Sequence, residues 1–115
     1  GNQHIDSFKE IFLASLIKSN FEKIAEYKDL IESNSELYNL VEDLKTNQNS
    51  KSSESYKNIS FTDAQLNEAV SRLHIHFFEL KINSLISKLE ESNDVKLFTE
   101  IEDLKKKIEN YQNTL

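Results

Sequence analysis

Apolar residues recur along this chain at intervals of three and four, the spacing that places side chains on one face of an α-helix. Four Ser/Thr-x-x-Glu/Gln sequences stand ahead of such runs: Ser7–Glu10, Ser19–Glu22, Ser33–Glu36 and Thr62–Gln65. A capping box of this kind satisfies two orphan amide donors at a helix start. The pattern predicts a helix over 7–18 (Phe8, Ile11, Phe12, Ala14, Leu16, Ile17) and a second over 20–31 (Phe21, Ile24, Ala25, Leu30, Ile31). A third is predicted over 34–46 (Leu37, Leu40, Val41, Leu44). Three short helices with tight joins make a small bundle. The periodicity lapses over 46–60, TNQNSKSSESYKNIS. So polar a stretch reads as a flexible loop, with no more than a transient helix around Tyr56. A loop of that length is uncommon inside a compact domain and marks disorder or a variable insertion.

The second half has a different texture. No breaker interrupts Thr62 to Ser92. Leu66, Val70, Leu73, Phe77 and Leu80 follow one register, and Ile75, Phe78, Ile82, Leu85 and Leu89 follow another on a different side of the same helix. ESNDVK, residues 91–96, is a turn with Asp94 as the helix cap. Leu97, Ile101, Leu104, Ile108, Tyr111 and Leu115 then repeat at spacings of 4, 3, 4, 3 and 4. Two matched seams joined by a short turn make an antiparallel helical hairpin.

The expected architecture is all-α. A small N-terminal bundle over 1–76, containing the 46–60 loop, is joined by one long helix to a C-terminal antiparallel hairpin over 77–115. A two-helix hairpin buries little surface alone, so it either packs on the bundle or awaits a partner. Ile86, Val95 and Phe98 fall outside the seams, and Tyr111 and Leu115 lie at the far end of the last helix. These five are the candidate partner-binding residues, suited to helix packing or to insertion in a groove, where aromatic anchors carry much of the affinity.

Composition narrows the function classes. The 115 residues include no cysteine, no proline and one glycine. Disulfides, thiolate catalysis and zinc–cysteine sites are excluded, as are glycine-rich phosphate loops. No apolar run approaches the roughly 20 residues of a membrane span, and no signal-peptide pattern is present. A cytoplasmic location is therefore the default expectation. The first residue is glycine rather than methionine, as expected of an excised piece. The net charge is −6, with Arg72 the sole arginine, which argues against tracking a nucleic-acid backbone. The run Lys105-Lys106-Lys107 reads as a solvated face, also favoured near a helix C-terminus.

The most chemical-looking stretch is HIHFFE, His74 to Glu79. On a helix, residues two apart point about 200° apart, so His74 and His76 cannot share one metal, and a zincin-like pair needs i,i+4 spacing. His4 lies in an N-terminus expected to fray. Glu90, Glu91 and Asp94 gather at a hairpin turn, which offers no pocket to perturb carboxylates for acid–base work. Neither a catalytic activity nor a cofactor is expected.

The segment FKEIFLASLIKSNFEKIAEYKDLIESNSELYNLVEDL resembles the opening of the C-terminal, helicase-binding domain of bacterial DNA primase. DAQLNEAVSRLHIHFFELKINSLISKLEESNDVKLFTEIEDLKKKIENY is similar to that domain's end, where a long helix turns into a hairpin. The likeness covers nearly the whole chain except 46–60. Where relatives tend to carry several arginines, this chain has Arg72, His74, His76 and Lys81. The resemblance implies a non-catalytic module that docks primase onto the N-terminal collar of the replicative helicase during DNA replication. The hairpin would supply affinity and the bundle would modulate the helicase, with primer synthesis in another part of the parent enzyme. Three other readings remain: the N-terminal domain of the helicase itself, which that family resembles in fold; a self-associating helical module that dimerises by swapping at 91–94; and a metal-binding or catalytic helical protein using His74, His76 and nearby carboxylates, which is not expected.

Overall fold

The computed structural model describes residues 2–115, with side chains from His4 onward. The fold is all-α: α1 (Asn2–Lys18), a 3-10 turn (Glu22–Ile24), α2 (Lys28–Glu32), α3 (Ser35–Thr46), α4 (Lys51–Lys57), α5 (Asp63–Ser92) and α6 (Val95–Gln112). Among the described residues there is no strand.

Of the four expected capping boxes, one forms. The Gln65 N–H donates to Thr62 Oγ1 at 3.1 Å and the Thr62 N–H donates to Gln65 Oε1 at 2.8 Å, so two orphan donors at the start of α5 are satisfied reciprocally. Ser7 lies inside α1, which begins at Asn2 and also takes in His4. The Ser19 and Ser33 hydroxyls turn backward and donate to the Leu16 and Leu30 carbonyls. Asn34 caps α3 instead, its Oδ1 accepting from the Leu37 N–H at 2.9 Å.

The helix expected over 20–31 is broken in two. The Phe21 N–H donates to Leu16 O at 2.7 Å and the Asn20 N–H to Ile17 O at 2.9 Å, which is the Schellman closure of α1. It requires left-handed backbone, and Asn20 and Phe21 have φ of 53° and 63°. Asparagine tolerates that region, while phenylalanine adopts it at a cost of about 1–2 kcal/mol. A continuous helix cannot pass through two such residues, so the chain restarts as a 3-10 turn and then as α2.

Residues 46–60 are a correction to the sequence reading. They are not a flexible loop: α3 ends at Thr46 and α4 occupies Lys51–Lys57. Ser50 caps α4, its Oγ accepting from the Ser53 N–H at 3.2 Å. Ser53 is 1% exposed, and α4 packs along α1. Lys18 at the end of α1 fastens the segment that follows: its Nζ donates to the Ile59 carbonyl and lies 4.7 Å from the Phe61 ring centroid.

The chain divides into two compact units, residues 1–70 and 71–115, the division falling within α5 and ahead of the 76/77 join read from the sequence. In the first unit, α1 is buried continuously from Phe12 to Leu16. The one polar member of that run, Ser15, is satisfied by donating to Phe12 O at 2.6 Å. Buried Leu30 and Ile31 belong to α2, and Leu37, Val41 and Leu44 to α3, which packs against it. The second unit is the hairpin formed by α6 and the α5 residues from Ser71.

A candidate interaction surface on the helical hairpin

The hairpin turns sharply because both helix ends are capped without glycine. The Asn93 N–H donates to Leu89 O at 3.0 Å, with φ of 52° at Asn93. That is the left-handed end of α5. Next, Asp94 Oδ1 accepts from the Lys96 N–H at 3.0 Å and starts α6, the cap expected from ESNDVK.

Beyond the turn the two seams meet as their spacing requires. Ile82, Leu85 and Ile101 form a buried cluster, with Leu89, Leu97, Leu104 and Ile108 partly buried against it. The opposite end of the hairpin is closed by rings. His74 lies against Tyr111 with centroids 4.3 Å apart and planes at 12°, and against Phe78 at 5.8 Å and 27°. Tyr111 also touches Phe78 at 6.0 Å, and Lys107 Nζ sits 5.9 Å from the Phe78 centroid. Ser71 and Thr114 share a hydroxyl hydrogen bond of 3.2 Å. These contacts are why residues from Ser71 onward belong with the hairpin.

The five candidate residues fall into two groups. Ile86, Val95, Phe98 and Leu115 are exposed. Tyr111 is half-buried and is part of the ring stack that holds the hairpin together. Its role in this structure is to close the unit, because it continues the Leu97–Ile108 seam. Val95 and Phe98 are three apart, neighbours on one helix face near the turn. Sequence reasoning did not single out Leu80, which is 47% exposed, because the first apolar register of α5 absorbed it.

The histidines have separate surroundings. His74 is buried among Phe78 and Tyr111, while His76 stands 5.7 Å from Phe77 in a tilted contact. Among the described residues no three His, Asp or Glu side chains are grouped to hold a metal, and no helix is long and apolar enough to cross a membrane. A concavity of about 120 Å³ in the first unit is lined by Ile17, Asn20, Phe21, Gln48, Asn49, Ser53 and Lys57. That set includes no carboxylate or imidazole. The tyrosine hydroxyls of Tyr27 and Tyr56 are raised above their ordinary range by burial, with smaller contributions from Glu26 and Glu10 respectively. The hairpin surface near the turn carries the exposed apolar side chains Ile86, Val95 and Phe98. No family model, curated protein or solved structure matches this chain.

Proposed function

We propose that this chain is a protein-docking module whose hairpin engages the N-terminal domain of a replicative helicase, as in the primase domain that its sequence resembles. One observation carries the reading: at the turn end of a two-helix hairpin with its own closed seam, Ile86, Val95 and Phe98 remain 41%, 74% and 55% exposed. Their burial is not needed to close the hairpin, and apolar side chains in that position are suited to anchoring a partner. On this reading the module is non-catalytic, the bundle modulates the helicase, and primer synthesis belongs to other domains of the parent enzyme.

Titration calorimetry of the whole chain against the N-terminal domain of the replicative helicase tests this. Saturable binding is expected, weakened in Phe98→Ala by about 2 kcal/mol or more, roughly thirtyfold in Kd. Absence of binding between two folded proteins contradicts it. Sedimentation of the chain alone separates docking from self-association, the docking reading expecting a concentration-independent mass.

A further inference from the structure

The hairpin has two sides flanking its seam, and they differ in chemistry. Ile86 follows the seam residue Leu85 by one position and Phe98 follows Leu97, a rotation of about 100° in each helix. Because the helices run in opposite directions, the same rotation carries both residues to the same side. Glu79, Glu90, Glu102 and Glu109 likewise follow Phe78, Leu89, Ile101 and Ile108, and so share that side with a single lysine, Lys105, after Leu104. The positions that precede the seam residues define the other side. They are Lys81, Lys88, Lys96 and Lys107, with Glu100 and Asp103. All of these charged residues are exposed. One side is therefore acidic and carries exposed Ile86 and Phe98. The other is basic, and the one apolar residue at these positions, Phe77 ahead of Phe78, is buried rather than presented to solvent.

Resting on the docking reading above, we infer that the hairpin binds through its acidic side alone, onto a protein surface with an apolar groove flanked by lysine or arginine. Ile86 and Phe98 enter the groove, and Glu90 and Glu102 meet the flanking cations. Among the described residues no ion pair engages Glu90, and Glu102 has only an exposed contact to Lys105 at 3.4 Å, a pairing that contributes little. Both carboxylates are thus available to a partner. Complementary charge around an apolar centre raises the association rate and selects against partners of the wrong sign. The lysine side stays in solvent and repels a cationic surface, so one side is favoured over the other.

The test pairs two doubly neutralised chains, Glu90→Gln/Glu102→Gln and Lys88→Gln/Lys96→Gln. Association with the helicase N-terminal domain is followed by stopped flow at low and high salt, with helix content checked by circular dichroism. The glutamate variant is expected to associate about threefold more slowly or worse, with a shallower salt dependence, and the lysine variant as fast as the parent or faster. If the lysine variant is the slow one, or if neither differs from the parent, the side assignment is overturned while docking stands. If the parent chain does not associate, the docking reading and this inference fail together.

Discussion

His74 and Tyr111 lie face to face, ring centroids 4.3 Å apart, at the end of the hairpin opposite its turn. This stack joins the last turns of α6 to α5 where the seam between them ends. Aromatic pairs contribute about 0.5–1.5 kcal/mol beyond the area they bury. Tyr111→Ala is expected to lower stability by about 2 kcal/mol in urea unfolding. Hydrogen exchange should show the last turns of α6 losing protection first.

In the middle of the seam, Leu85 is 2% exposed and packs with Ile82 and Ile101. Leu85→Ala leaves a cavity there and is expected to cost about 2–5 kcal/mol. Because the seam lies within the hairpin unit, α6 amides should exchange faster while those of α1 change less.

The reciprocal cap at Thr62 distinguishes it from the other three boxes. Thr62→Ala is expected to cost about 1 kcal/mol, and Ser7→Ala to change stability by no more than about 0.5 kcal/mol, since Ser7 sits exposed inside α1. Denaturant midpoints of the two variants measure the difference.

Much of the fold was legible in the sequence, for reasons that also explain the misses. The hairpin was readable because Leu97, Ile101, Leu104 and Ile108 repeat without interruption and Asp94 is a strong cap. Ser7, Ser19 and Ser33 fit a box pattern that says nothing of whether the backbone is already helical or has turned left-handed, as at Asn20. The helix α4 was missed because KSSESYK shows one apolar residue, Tyr56. Its buried residue is Ser53, small enough to let α4 lie close to α1 yet invisible to a hydrophobic count. At the candidate surface, Ile86, Val95 and Phe98 stood out by leaving the seam registers. Tyr111 was named both as a seam residue and as a partner contact. Its stack with His74 depends on how the turn aligns two helices, which spacing within one helix does not state.

Asn93 holds a left-handed conformation, φ 52°, where a β-branched residue is strongly disfavoured. Asn93→Val is expected to destabilise by about 1–2 kcal/mol, and Asn93→Gly to stay within about 0.5 kcal/mol of the parent. Urea unfolding of both variants checks the pair.

Burial, and then the Glu10 carboxylate, hold the Tyr56 hydroxyl above its ordinary 10.0. The folded chain therefore keeps this proton to higher pH than the unfolded chain does. The corresponding stability is complete below about pH 10 and is lost as pH rises through the higher folded value. Tyr56→Phe, which cannot ionise, should show a smaller alkaline loss of stability than the parent. Unfolding midpoints measured from about pH 8 to 11 reveal the difference.

The most direct test of the docking claim is residue-resolved. Backbone NMR resonances of the whole chain would be followed as the helicase N-terminal domain is added. Perturbation concentrated around Ile86, Glu90, Val95, Phe98 and Glu102 is the expected result. Saturable binding whose perturbations fall within residues 2–70, leaving that end of the hairpin unchanged, would contradict it.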